Sequence, residues 1–155
     1  MSRALIKSII LLPGIALVLI PGLILLASYV WGYPPNIPQP GNVRFWLALL
    51  AASMGISLAA WSVTLLVEFG QGTPAPWEPT HKLVVRGAYR YLRNPMISGT
   101  LFIILAEALF FGSWFLLAWM LIFFGFNLFY FPFFEEVELE QRFGNDYTEC
   151  KTHVP

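Results

Sequence analysis

Arg86-Gly-Ala-Tyr-Arg-Tyr-Leu-Arg-Asn-Pro-Met-Ile-Ser-Gly99 is the most basic stretch of a very apolar chain, and an apolar run follows it directly. Three arginines (Arg86, Arg90, Arg93) and two tyrosines (Tyr89, Tyr91) fall within eight residues. The 155 residues around it are 57% hydrophobic and 12% charged, with a mean hydropathy of +0.67. A soluble domain carries about 25% charged residues, so the composition is that of an integral membrane protein. A charge left in hydrocarbon costs about 2.5–3.5 kcal/mol on insertion scales. The arginine cluster is therefore expected at the cytoplasmic membrane surface, where it can hold an anionic group as one wall of a cofactor site.

The fold follows by working outward from that stretch. Pro95 suits the first turn of a helix, where its missing N–H is harmless. The apolar runs 96–111 and 114–131, separated by Gly112-Ser113, read as a helical hairpin. Upstream, Gly70-Gln-Gly-Thr-Pro-Ala-Pro-Trp-Glu-Pro79 is a loop, and it lacks the Lys-Ser/Thr ending of a phosphate loop. Residues 43–69 read as a long span in which Ala52, Gly55 and Ala59 form a small-residue face for close helix packing. The proline-rich, uncharged segment 31–41 is an external loop. The first run, 5–29, is too long for a signal-peptide core of about 7–15 residues and is expected to be a retained, kinked span, interrupted at Pro13-Gly14 and Pro21-Gly22.

Four spans result. Four of the nine Lys and Arg residues (Lys82, Arg86, Arg90, Arg93) lie in the loop before the hairpin, and Arg3 and Lys7 flank the start. The positive-inside rule then puts both termini and the 70–95 loop in the cytoplasm. The chain divides into a two-span region, 1–69, and a catalytic region, 70–155. Its net charge of zero gives no argument for nucleic acid. The lone Cys150 excludes an intrachain disulfide.

After the hairpin the chain changes character. Phe133-Phe-Glu-Glu-Val-Glu-Leu-Glu-Gln-Arg-Phe143 reads as a short helix that holds four of the nine acidic residues (Glu135, Glu136, Glu138, Glu140), with Gly144 as its stop. The hairpin brings this acidic cluster back toward the basic one. Two readings stand at this point: salt bridging at a headgroup surface, or a pocket for a small zwitterionic molecule. On a helix Glu135 and Glu136 point to different sides, so one of them faces the arginines directly.

The segments Gly-Ala-Tyr-Arg-Tyr-Leu-Arg-Asn-Pro-Met at 87–96, Glu-Glu-Val-Glu-Leu-Glu-Gln-Arg-Phe-Gly-Asn-Asp-Tyr at 135–147 and Val-Pro at 154–155 resemble the isoprenylcysteine carboxyl methyltransferase family. More broadly they resemble the membrane phospholipid and isoprenylcysteine methyltransferases. The resemblance covers roughly residues 70–155. It implies methyl transfer from S-adenosylmethionine to a membrane-embedded lipidic acceptor, either a prenylated-cysteine-like carboxylate or a lipid amine, with S-adenosylhomocysteine as product. The family's Arg-His-Pro corresponds to Arg93-Asn94-Pro95, and its Glu-Glu pair to Glu135-Glu136. Asn94 stands where His is commoner, Ala88 where Pro is usual and Ile97 where Tyr is frequent.

The resemblance implies these roles. Arg93 or Arg90 pairs with the donor's carboxylate. Glu135 or Glu136 accepts from its ribose hydroxyls or ammonium. Leu83, Val84, Met96 and Tyr130 enclose the adenine. His81, Gly87, Tyr89, Asn94, Pro95 and Gly99 complete the cofactor site. Arg93 and Glu136 are the catalytic candidates, Glu136 as base or acceptor-orienting group. The alternative from another class is a non-catalytic membrane protein whose two clusters clamp a headgroup or a partner.

Glu107, inside the third span, is an intramembrane acid expected to snorkel toward the nearby external turn. Asn127 reads as interhelical glue. His81, Cys150 and His153 lack metal-ligand spacing, so no metal is expected.

Overall fold

The computed structural model describes residues 14–70, 87–92 and 94–130, with Phe133 and Val137. Among the described residues the architecture is all-helical and without strands. Four α-helices are joined by short connections: α1 (Ile20–Val30), α2 (Val43–Glu68), α3 (Pro95–Phe111) and α4 (Trp114–Tyr130). A π-helical turn, Ile15–Leu19, leads into α1, and a 3₁₀ turn, Gly87–Arg90, precedes α3. The acidic tail helix and the 70–79 loop expected from sequence lie outside the described residues, apart from Gly70, Phe133 and Val137.

Each boundary has a local cause. The Ile20 N–H donates to the Ile15 carbonyl, five residues back. Pro21, which follows, has no N–H to continue the ordinary four-residue ladder. The interruption expected at Pro21-Gly22 therefore takes the form of a π turn just upstream of the proline. α2 begins at Asn42, whose side chain accepts from the Arg44 N–H at 2.9 Å. α3 ends at Gly112 in the left-handed conformation (φ 60°), and Ser113 and Trp114 restart the chain as α4. The helices α3 and α4 have 17 residues each, so an antiparallel hairpin returns Tyr130 to the level at which α3 began.

The helices pack in the order α1–α4–α3–α2, and the contact of α2 with α3 is the most extensive. Small residues make it so. A Cβ on Gly55 would lie 2.7 Å from the Gly99 carbonyl oxygen, and one on Gly99 would lie 2.9 Å from the Ala59 nitrogen. The small-residue face expected on the second span thus does its work through Gly55 and Ala59, and Gly99 is its counterpart on α3. At the far side of the bundle, Trp119 Nε1 donates to the Ala16 carbonyl at 3.3 Å.

Among the described residues the buried core is built mainly of small side chains, with Ile104, Leu116 and Leu65 the largest apolar ones. Large apolar residues stand outward on α1, α2 and α4, among them Val30 (73% exposed), Trp46 (58%), Trp114 (81%) and Phe129 (71%). In water such a surface would drive association, whereas against lipid tails it is the ordinary solvent face. α2, 26 residues with a mean hydropathy of 1.8 over its most apolar 18, is long and apolar enough to cross a bilayer.

Candidate active site

The site is assembled on the second half of α2. Gly87 has φ 57°, a conformation that glycine adopts without strain, and a Cβ there would meet Leu65 at 2.8 Å and Trp61 at 3.0 Å. The absence of a side chain lets the 3₁₀ turn lie flat on the helix. Ala88, 3% exposed, packs on Leu65, with Leu58, Leu66 and Tyr89 around it. The Tyr89 hydroxyl shares a 2.6 Å hydrogen bond with Ser62 Oγ, and Ser62 is fully buried on α2. The N–H groups of Tyr91 and Leu92 both donate to the Ala88 carbonyl and close the turn. Arg90, by contrast, is exposed.

Four residues after Arg90, Asn94 caps α3. Its Oδ1 accepts from the Ile97 N–H at 3.1 Å, and its carbonyl accepts from the Ser98 N–H and hydroxyl. Pro95 occupies the first helical position and is buried. Asparagine is among the best N-caps, worth about 1 kcal/mol over alanine. Asn94 therefore has a concrete physical role here, as the cap that starts α3.

The structure thus brings Gly87, Tyr89, Arg90, Asn94, Pro95, Met96 and Gly99 to one end of the α2–α3 pair. Gly99 meets α2 directly, and its lack of a side chain is explained by that approach. Tyr130, 40% exposed and stacked on Phe126 with ring centroids 5.5 Å apart, ends α4 at the same end by the hairpin's topology. His81, Leu83, Val84, Arg93, Glu135 and Glu136 lie outside the described residues. Sequence reasoning missed Ser62 and Trp61. A serine in an apolar helix gives no sign of its partner, and Trp61 reads as one more interfacial aromatic. Among the described residues no group of three or more His, Cys, Asp or Glu side chains lies together.

Two other expectations are corrected or refined. Glu107 does not reach water with its whole carboxylate: its Oε2 is buried without a hydrogen-bond partner. Asn127 donates to the Phe123 carbonyl of its own helix at 2.7 Å, rather than bridging helices through that group.

An outward-facing apolar surface, a helix able to span a bilayer and a polar turn held against it define a class, the helical proteins that work at a membrane surface. Within that class, the model of the phospholipid methyltransferase family matches residues 43–146, more than half of the chain, and the chain belongs to that family. Its members are methyltransferases. No curated protein and no solved structure matches the chain. The match begins at Val43, well before residue 70, and takes in α2, the helix on which the Gly87–Arg90 turn is seated.

Proposed function

We propose that the chain is a four-span membrane methyltransferase that uses S-adenosylmethionine to methylate a lipidic acceptor, with both termini and the site in the cytoplasm. The observation that carries this reading lies inside the region matched to the family: the Gly87–Arg90 turn and the capped start of α3 sit together on α2. The three shorter apolar helices, Ile15–Val30, Pro95–Phe111 and Trp114–Tyr130, supply the remaining spans.

The donor set suits the group. Arg90 and Arg93 offer guanidinium forks for the donor's carboxylate, next to the first turn of α3. Glu135 and Glu136 supply acceptors for its ammonium and ribose hydroxyls. Met96, Tyr130, Leu83 and Val84 provide apolar cover for the adenine, and His81 and Tyr89 complete the donor set. The bound donor supplies a methyl group on a sulfonium: an acceptor lone pair forms the new bond as the C–S bond breaks, the electrons return to sulfur, and S-adenosylhomocysteine leaves as a neutral thioether.

The chain's own residues contribute alignment, because an in-line displacement depends on holding acceptor, methyl carbon and sulfur in register. Glu136 takes the proton from an amine acceptor; a prenylated-cysteine-like carboxylate has none to give and needs no base. Drying the site favours a transition state in which the sulfonium charge is being lost. The acceptor's tail stays in the bilayer and reaches the site between helices.

Calorimetry with S-adenosylhomocysteine tests the reading. Micromolar binding that Arg93→Ala abolishes, with turnover impaired in folded Glu136→Gln, supports it. A well-folded protein that does not bind the nucleoside refutes it.

A further inference from the structure

A hydroxyl on an apolar helix ordinarily satisfies itself locally, on a carbonyl one turn back. Ser28, Ser53, Thr64 and Thr100 do so, each donating to a carbonyl three or four residues earlier on its own helix. Ser62 departs from this pattern. It has no exposed surface, and its Oγ is bonded to the Tyr89 hydroxyl, 27 residues away in the chain. The helix thus spends this hydroxyl on holding another segment.

Apolar contacts press that segment onto α2. Gly87 lies over Trp61 and Leu65, and Ala88 packs on Leu65. Burial of this kind is non-directional. It keeps the turn on the helix without fixing where along the helix the turn lies. A hydrogen bond tolerates only a narrow range of length and angle, so the 2.6 Å bond between Ser62 and Tyr89 sets the register. Arg90 follows Tyr89 directly, and just beyond it the Tyr91 and Leu92 N–H groups donate to the Ala88 carbonyl. The backbone that carries Arg90 is therefore held on both sides, while Arg90 itself is exposed.

We infer that Ser62 is a positioning residue for donor binding. Its bond to Tyr89 fixes the turn on α2, and with it the point from which the Arg90 guanidinium reaches the donor's carboxylate. This rests on the reading of the Gly87–Arg90 turn as part of the donor site. Ser62, being buried, does not meet the donor; what it changes, it changes through Tyr89. An arginine on a fixed anchor has less freedom to lose on binding. For one long side chain that difference is about two- to tenfold in affinity.

Calorimetry with S-adenosylhomocysteine on the detergent-purified full chain, well below its melting temperature, tests this. Ser62→Ala is expected to weaken binding about fivefold. In an Arg90→Ala background the same substitution is expected to change nothing further, because the group it positions is gone. If Ser62→Ala does not fold, Tyr89→Phe removes the same bond from the other side and takes its place in the cycle. A Ser62→Ala protein that melts lower but binds as tightly as wild type has lost a packing bond only, and overturns the inference. Equal weakening with and without Arg90 also overturns it. Wild-type protein that is folded and binds no S-adenosylhomocysteine refutes the donor-site reading itself, and this inference with it.

Discussion

Replacing Gly55 by alanine adds one methyl group at the tightest point of the bundle. The new carbon would lie 2.7 Å from the Gly99 carbonyl oxygen, 2.7 Å from Ile103 Cγ1 and 2.9 Å from the Ile103 nitrogen. Comfortable separation is about 3.5–4.0 Å, so something must yield by roughly 1 Å. The Ile103 side chain can rotate, but the Gly99 carbonyl and Ile103 amide are backbone, and only a shift of α2 away from α3 relieves them. Overpacking of this kind costs about 1–3 kcal/mol, and the better helix propensity of alanine returns about 1 kcal/mol. The net loss is then about 0–2 kcal/mol, a fall in Tm of up to about 8 °C for a chain of this size.

The molecule supplies its own control. A Cβ on Gly125, in α4, would have nothing within 4 Å. Gly125→Ala therefore isolates the propensity effect, and it should leave Tm unchanged or raise it. Thermal unfolding of both variants in the same detergent decides the matter. Equal shifts, or a Gly55→Ala protein more stable than wild type, would refute the claim that a glycine-to-glycine approach sets the spacing of α2 and α3.

Three further outcomes are expected. Ser62→Ala and Tyr89→Phe should each lose about 1 kcal/mol, and the double variant little more than either, because they remove the same bond; a double-mutant cycle by chemical unfolding checks this. Asn94→Ala should lose about 1 kcal/mol and Asn94→Asp should keep most of it, since the Oδ1 acceptor survives; a thermal melt of the two distinguishes cap loss from a change in side-chain size. Arg90→Ala should leave Tm unchanged because the residue is exposed, while weakening S-adenosylhomocysteine about tenfold by calorimetry.

Much of the helical layout is legible in the sequence because punctuating residues mark it. Asn42, Gly70, Pro95 and Gly112-Ser113 bracket apolar runs, and α2, α3 and α4 fall within a residue of the expected limits. The reason is local: caps, prolines and left-handed glycines act over one turn. Pairings across helices were not legible. Nothing in an apolar run says that Gly55 meets Gly99 or that Ser62 meets Tyr89, because those contacts depend on the rotation of two helices about their axes. Gly99 illustrates the difficulty, since in a motif it reads as room for a ligand and in the fold it is room for α2. Glu107 shows the reverse case, a residue placed near water by its sequence position and placed at an apolar groove by the packing of α2.

The most direct measurement of the central claim is methyl incorporation. Purified protein, reconstituted in a total lipid extract and supplied with S-adenosylmethionine labelled in its methyl group, should carry label into the lipid fraction, and Arg93→Ala of equal stability should not. Folded wild-type protein that leaves the lipids unlabelled in the presence of bound donor would contradict the assignment.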